Sequence, residues 1–84
     1  MEDWTVYIIE TRSGKLYTGI TKDLNKRFKA HEEKKGARFF RISEPLKVLY
    51  CEKHVNRSEA SKREHQIKQL SRKEKLILIS SYRA

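Results

Sequence analysis

Two short apolar segments near the beginning of the chain are separated by a polar stretch. The segments "WTVYIIE" and "KLYTGI" are rich in β-branched and aromatic side chains, and "TRSGK" with its glycine lies between them. This pattern predicts a β-hairpin. A three-residue loop of Arg12, Ser13 and Gly14, with the glycine in the left-handed region, would place Thr11 opposite Lys15.

The length of this loop decides which side chains share a face of the hairpin. With three loop residues, Tyr7 and Tyr17 are diagonal neighbours on one face, and Gly19 lies opposite Tyr7 and leaves space over the sheet. A two-residue loop of Ser13 and Gly14 would place the two tyrosines on opposite faces. We favour the three-residue loop.

A helical pattern follows the hairpin. Leu24 and Phe28 are four residues apart among polar neighbours in residues 22–34, which predicts an amphipathic helix. Thr21 or Asp23 is the expected N-terminal cap of this helix.

A connector and a third strand come next. The basic and aromatic segment "KKGARFFRIS" shows no clear period and is predicted to be a connector. The segment "PLKVLYCE" is apolar or alternating and begins at a proline, which the first residue of a strand tolerates. It predicts the third strand.

Two further helices complete the pattern. The first lies in residues 56–70, with Asn56 or Ser58 as its cap, and the second opens with a capping box of Ser71 and Glu74. The order β-β-α-β-α-α predicts an α+β fold, a small three-stranded antiparallel sheet flanked by helices.

Length and composition limit the class of protein. A chain of 84 residues makes a single domain, residues 1–84 with a core from about 4 to 79. The single cysteine excludes an intrachain disulfide and suits a reducing cytosol. The longest apolar run, residues 76–79, is too short to span a membrane, and the acidic start is unlike a signal peptide. We therefore expect a cytoplasmic protein with no membrane partner.

Positive charge is the dominant feature of the composition. Twenty Lys and Arg against eleven Asp and Glu give a net charge of +9, which favours a polyanionic partner, most often nucleic acid. The excess is concentrated in residues 53–84, which carry nine basic and three acidic side chains.

Polar residues occupy helix positions where apolar ones are expected. Arg27 and His31 lie one turn apart at the margin of the inward stripe of the first helix. Glu64 lies on the same line of its helix as Ala60 and Ile67, where a carboxylate is costly unless it is paired or binds a metal.

Each of these residues has a structural alternative. Glu64 could pair with Lys68 at i+4, and Tyr7 and Tyr17 could be core residues whose hydroxyls reach water. The functional interpretation depends on convergence, because two phenols, an arginine, a histidine and a carboxylate are all expected to point to one side of the sheet.

The same residues form a pattern known from one family. The triplets are Thr5-Val6-Tyr7 and Tyr17-Thr18-Gly19, followed in order by Arg27, His31 and Glu64. With them the chain resembles the GIY-YIG nuclease domain, specifically its short stand-alone bacterial members, from Trp4 to about Ile79. It departs from the family in both triplets and in having no asparagine after Asn56, although many family nucleases use an asparagine beyond the glutamate.

The resemblance implies roles for five residues. Tyr7 would take the proton from the attacking water, with Tyr17 as its hydrogen-bonding partner, and this role requires a lowered phenol pKa. Arg27 would stabilise the phosphate charge, and His31 would orient a group or shuttle a proton. Glu64 would hold one divalent cation, Mg²⁺ or alternatively Mn²⁺.

Contacts to the nucleic-acid backbone are expected from basic residues outside the site. The candidates are Arg38, Arg41, Lys62, Arg63 and Lys68. Phe39 and Phe40 could stack on bases, although core packing is the favoured interpretation. DNA is the expected partner and RNA stays open, as does the choice between a monomer and a weak dimer.

Three functions remain to be distinguished. The first is a metal-dependent nuclease that acts on DNA in repair or processing. The second is a nucleic-acid-binding module with the nuclease fold and little or no cleavage. The third is a basic adaptor that binds proteins.

Overall fold

The computed structural model describes residues 3–82 of the chain. Its centre is an antiparallel sheet of three strands, β1 (Trp4–Thr11), β2 (Leu16–Thr21) and β3 (Pro45–His54), in the order β2-β1-β3. The predicted α+β class and the three-stranded antiparallel sheet are confirmed. β3 begins at the proline, as predicted, and continues to His54.

The loop between β1 and β2 has three residues, as predicted. The Thr11 N–H donates to the Lys15 carbonyl oxygen at 2.9 Å, and the Gly14 N–H donates to the Thr11 carbonyl oxygen at 2.9 Å. Gly14 has a φ of +86°, which residues other than glycine rarely adopt. The loop geometry therefore sets the register of the hairpin.

This register brings the two tyrosines to one face. Tyr7 pairs with Gly19, and Ile9 pairs with Tyr17, so Tyr7 and Tyr17 are diagonal neighbours on the same side. Their ring centroids are 6.3 Å apart. The prediction that depended on the loop length is confirmed.

Two helices lie between β2 and β3. The first, α1 (Leu24–Glu32), is capped by Asp23, whose side chain accepts the Lys26 N–H at 3.1 Å. The second, α2 (Phe39–Ile42), lies where we predicted only a connector. A helix of four residues is too short to show a hydrophobic period, and burial of Phe40 against the sheet stabilises it.

Two more helices follow β3, each with a predicted cap. Helix α3 (Arg57–Lys68) is capped by Asn56, and helix α4 (Arg72–Ser80) opens with the capping box of Ser71 and Glu74. No helix within residues 3–82 is both long and apolar enough to cross a membrane.

Both faces of the sheet are covered. Tyr7 and Ile9 of β1 pack with Phe40 on the face beneath α1 and α2, which we call the tyrosine face. Val6 and Ile8 point the opposite way and pack with residues of α3, among them Ala60 and Ile67, and with apolar residues of α4. Helix α3 therefore lies on the other side of the sheet from α1, which corrects the expectation that all the candidate residues approach from one side.

Candidate active site

Tyr7 lies at the centre of the candidate site. Its side chain is 1% exposed, and its hydroxyl is 3.0 Å from Nε2 of His31, which is itself fully buried. Gly19 makes this position of the ring possible, because a Cβ there would lie 2.5 Å from Oη and 2.8 Å from Cζ of Tyr7. The space that we predicted over Gly19 is occupied by the end of the Tyr7 ring.

The other ring nitrogen of His31 determines which atom carries its proton. Nδ1 accepts the backbone N–H of Ala37 at 3.3 Å, and the backbone of Gly36 lies so close to the ring that a Cβ there would overlap it. Because the amide can only donate, Nδ1 of the neutral ring has no proton and Nε2 has one. His31 therefore donates to the Tyr7 hydroxyl, whose own proton is available to another acceptor.

His31 is neutral at physiological pH. Burial, together with the nearby charge of Arg27, lowers its pKa to about 4. A neutral imidazole with a fixed tautomer orients the Tyr7 hydroxyl.

The pKa of Tyr7 differs from the value that the predicted base needs. Burial and the neighbouring Tyr17 raise the pKa of Tyr7 to about 12, and Glu64 adds to this rise. Arg27 opposes it through hydrogen bonding and charge. The role of Tyr7 as a base requires a lowered pKa near a metal ion or a basic side chain. With the protein residues alone the pKa of Tyr7 is raised, so the phenolate requires further positive charge.

Arg27 provides the one cationic group beside this hydroxyl that acts on the pKa of Tyr7. It lies on α1 one turn before His31 and is exposed to solvent. None of the ion pairs among the described residues involves it. Its guanidinium fork is therefore available to an anionic ligand such as a phosphate.

A groove beside Arg27 adds a residue that we did not predict. It has a volume of about 330 Å³, and Lys26 lines it together with Arg27 and Ala30. Lys26 is a candidate for a second phosphate contact. Charge density within the first helix was the signal available in the sequence, but it does not tell which lysine faces the groove.

Tyr17 forms the outer wall of the site. It is half-buried, and its ring lies between His31, at 5.8 Å between centroids, and Phe39, at 5.4 Å. Aromatic contacts therefore hold Tyr17 next to Tyr7.

Glu64 shows both behaviours that we considered. Its carboxylate pairs with Nζ of Lys68 at 3.1 Å, the structural alternative, and its side chain remains 22% exposed. It also lies close enough to Tyr7 to raise the pKa of that phenol, although α3 packs on the opposite face. The carboxylate is therefore near the site but neutralised by a lysine.

The acidic residues allow only a simple metal site. Among residues 3–82, no three His, Cys, Asp or Glu side chains form a group that could hold a metal ion. Mg²⁺ typically uses one or two carboxylates and completes its shell with water and substrate phosphate. Glu64 alone fits that requirement.

The basic residues predicted on α3 are all engaged. Lys62 pairs with Glu59 at 3.6 Å, Arg63 pairs with Glu52 at 2.9 Å, and Lys68 pairs with the candidate metal ligand. Their net attraction for a phosphate is reduced accordingly.

The remaining predicted contacts lie around α2. Arg38 and Arg41 are exposed and have no ion-pair partner among the described residues. Between them, Phe40 is fully buried and Phe39 is half-buried, so Phe40 is a core residue and only Phe39 reaches the surface.

Known proteins similar to this chain match it over most of its length. Residues 3–77 match the GIY-YIG catalytic domain family. A UPF0213 protein of Oceanobacillus iheyensis is 49% identical over 78 residues, covering 93% of this chain and 91% of that protein. One of Staphylococcus saprophyticus is 42% identical over 80 residues, covering 95% and 98%.

A solved structure shows the same architecture. The solution NMR structure of a UPF0213 protein from Bacillus halodurans has a TM-score of 0.60 and 36% sequence identity, covering 93% of this chain and 83% of that one. The resemblance that the tyrosine triplets indicated is therefore confirmed: this chain belongs to the GIY-YIG catalytic domain family and is similar to the UPF0213 proteins throughout most of its length.

Proposed function

We propose that this protein is a metal-dependent endonuclease that hydrolyses phosphodiester bonds in DNA, in repair or processing. Membership of the GIY-YIG family supports a nuclease-like function and a nucleic-acid substrate. The observation that carries the proposal is the buried Tyr7 hydroxyl, which accepts a hydrogen bond from neutral His31 and lies beside the charge of Arg27.

Each residue has one role in this mechanism. Arg27 binds the scissile phosphate and stabilises the charge that develops on it, for which its bidentate fork is suited. Tyr7 takes the proton of the attacking water at Oη in its phenolate form, which the Nε2–H of His31 and the charge of Arg27 favour. Tyr17 assists as the hydrogen-bonding partner of Tyr7.

Family nucleases generally use a divalent metal ion, and Glu64 is the residue that would hold it. Bound at Glu64, Mg²⁺ or Mn²⁺ would supply positive charge that favours the phenolate and the charge developing on the phosphate. Lys68 has to release the carboxylate first, since it occupies Glu64 at 3.1 Å. The residues present fit a divalent metal ion through a single half-buried carboxylate, that of Glu64, which is close enough to Tyr7 to act on its pKa.

The remaining proposals concern the cellular location and the oligomeric state of the protein. The protein acts in the cytoplasm and without a membrane. A single site of this kind cuts one strand, so a monomer suits a single-strand cut and a weak dimer suits a double-strand cut.

Cleavage of labelled nucleic acids tests the proposal. Wild type, Glu64→Ala and the control Glu59→Ala are incubated with single-stranded, duplex and branched DNA and with RNA, each with Mg²⁺, Mn²⁺ or a chelator. Glu59 lies on the same helix, and its ion pair among the described residues is with Lys62 at the surface. We expect metal-dependent cleavage of DNA that is lost in Glu64→Ala and retained in Glu59→Ala. Equal cleavage by all three proteins would contradict a role of Glu64.

A second function is favoured by two observations. The raised pKa of Tyr7 and the pairing of Glu64 with Lys68 describe a site that is not ready for cleavage. A binding module with the nuclease fold would bind nucleic acid in a salt-dependent way but cleave none of the substrates. Absence of binding at low salt would instead indicate an adaptor for proteins.

A further inference from the structure

A groove at the hairpin end of β2 contains residues that have no role in the site described above. It has a volume of about 260 Å³, and we call it the hairpin groove. Its lining residues are Lys15, Leu16, Phe39, Arg72 and Lys75. Lys15 follows the hairpin loop, and Arg72 and Lys75 lie on the first turns of α4, so three separate parts of the chain build it.

The cations of the hairpin groove are available to a ligand. Lys15, Arg72 and Lys75 have no ion-pair partner among residues 3–82. The neighbouring acid Glu74 is engaged in the capping box, where it accepts the Ser71 N–H at 2.8 Å. The three predicted cations of α3 are all paired, so the groove has unneutralised positive charge that α3 lacks.

An aromatic ring lies in the same groove. Phe39 packs edge-on against Phe40 and tilted against Tyr17, with centroids 5.4 Å away in both cases. These contacts hold the ring in place, while the half-buried side chain lines the groove. A fixed ring beside several cations is the combination that binds a nucleotide, with the base on the ring and the phosphate on the cations.

Aromatic contacts link the hairpin groove to the candidate active site. Phe39 contacts Tyr17, and Tyr17 in turn contacts Tyr7 and His31. A strand whose scissile phosphate lies at Arg27 and Tyr7 would extend from Tyr17 over Phe39 into the groove. A base in a duplex is covered on both faces by its neighbours, so only an unpaired base can stack on Phe39.

We propose that the hairpin groove binds an unpaired nucleotide that flanks the scissile phosphate. Its base stacks on Phe39 and its backbone phosphates contact Lys15, Arg72 and Lys75. This proposal rests on the proposed function and specifies its substrate as a polynucleotide with a single-stranded segment next to the cut.

Equilibrium binding in the presence of a chelator tests this groove without requiring cleavage. The probes are a fluorescent oligothymidylate of a dozen nucleotides, the matching duplex, and an abasic strand of the same length. Affinities are measured for the full chain by fluorescence anisotropy over a series of salt concentrations.

Three groove variants separate stacking from charge. Phe39→Ala should weaken binding of the oligothymidylate about tenfold and leave binding of the abasic strand unchanged, whereas Phe39→Trp should retain the affinity. The triple variant Lys15→Gln, Arg72→Gln, Lys75→Gln should weaken binding of both the oligothymidylate and the abasic strand. It should also reduce the slope of log affinity against log salt by about 2, since each phosphate contact on a single strand contributes about 0.7.

A matched control removes the same charge elsewhere. Lys34→Gln, Lys47→Gln, Lys53→Gln also lowers the net charge by three, but none of these residues lines the groove. If this control reduces the salt slope as much as the groove variant, only net charge matters and the inference is overturned. If Phe39→Ala loses the same affinity for the oligothymidylate as for the abasic strand, with unchanged circular dichroism, base stacking is likewise excluded. Binding of the duplex as tightly as the single strand would contradict the unpaired nucleotide.

The outcomes distinguish this inference from the proposed function. Wild type that cleaves DNA while groove variants bind normally would overturn the groove and leave the nuclease in place. Wild type that cleaves nothing, together with weakened binding in the groove variants, would overturn the nuclease and leave the groove as a nucleotide site.

Discussion

Two groups around the sheet contain the same four residue types in two different arrangements. Each group contains one tyrosine, one histidine, one arginine and one glutamate. The first, the Tyr7 group, consists of Tyr7, Arg27, His31 and Glu64. The second, the Glu52 group, consists of Tyr50, Glu52, His54 and Arg63.

The Glu52 group is internally satisfied. Its carboxylate accepts the Tyr50 hydroxyl, Nε2 of His54 at 2.6 Å and Nε of Arg63 at 2.9 Å. Burial by itself raises the pKa of Glu52, but these three hydrogen bonds and the charge of Arg63 lower it overall. All three donors point at one acceptor, so the group stabilises the packing of α3 on β3 and leaves little for a ligand.

The Tyr7 group has the opposite distribution of contacts. His31 donates to Tyr7, Arg27 has no ion-pair partner among the described residues, and Glu64 pairs outside the group with Lys68. The phenol proton of Tyr7 and the guanidinium group of Arg27 therefore remain available to a ligand. Residue types alone therefore do not make a site, and the difference lies in whether the donors already have their acceptor.

Removal of the tyrosine hydroxyl should produce the largest difference between the Tyr7 group and the Glu52 group. Tyr7→Phe should lower the cleavage rate by about 10²–10⁴-fold, because it removes the proposed acceptor of the proton. Tyr50→Phe should leave the rate unchanged and lower the free energy of unfolding by about 1 kcal/mol, since Glu52 loses one donor. Initial rates and urea unfolding of the two variants measure this. Equal rates in both variants would remove Tyr7 from the chemistry.

Substitution of the arginine in each group should distinguish the two groups in the same way, with a smaller effect. Arg27→Gln should reduce cleavage by roughly 10²-fold with little change in stability, because the side chain is exposed and forms no ion pair among the described residues. Arg63→Gln should retain cleavage and lose about 1 kcal/mol of stability, a modest figure because the ion pair is partly exposed. A stability loss in Arg27→Gln larger than that in Arg63→Gln would reverse the comparison.

The buried histidine of the Tyr7 group should make stability depend on pH. The pKa of His31 is lowered to about 4 in the folded state, so below pH 6.5 the unfolded chain binds a proton that the folded chain does not. Stability from this group is complete above pH 6.5 and should fall by roughly 3 kcal/mol as the pH drops to 4. Urea unfolding of wild type and His31→Gln at pH 8, 6, 5 and 4 measures it. Parallel pH dependences in the two proteins would contradict the assignment.

The smallest predicted effect concerns an unpartnered hydroxyl. Thr18 is 3% exposed, and its Oγ1 has no hydrogen-bond partner in the described structure. Thr18→Val keeps the shape and removes the desolvation cost, so it should raise the free energy of unfolding by about 1 kcal/mol and the midpoint by about 4–8 °C. Thr5→Val, at a buried position that lacks this feature, is the control. A lower midpoint for Thr18→Val would show that the hydroxyl has a partner in solution.

Local patterns in the sequence were sufficient for most of the fold. The hairpin, the caps at Asp23 and Asn56 and the capping box at Ser71 depend on neighbours in the chain. The hairpin and the capping box were predicted, and each of the two caps was one of two predicted alternatives. The short helix α2 was missed because four residues carry no period and its stability comes from burying Phe40 against the sheet.

The candidate site could be predicted as a set of residues but not as an arrangement. The spacing of the tyrosines and of Arg27 and His31 follows from strand and helix periods, so these positions were accessible from the sequence. The hairpin groove was not, because Lys15, Phe39 and Arg72 come from distant parts of the chain.

The sequence by itself determined the three strands, three of the four helices, the hairpin register, the positive charge and the residue types of the site, because periods of two and 3.6 residues and capping preferences are local properties. Only the tertiary structure decided that α3 packs on the opposite face, that Glu64 pairs with Lys68 and that the pKa of Tyr7 is raised to about 12. Those outcomes depend on burial and on charges brought together by folding, and both are sums over neighbours that are distant in the chain.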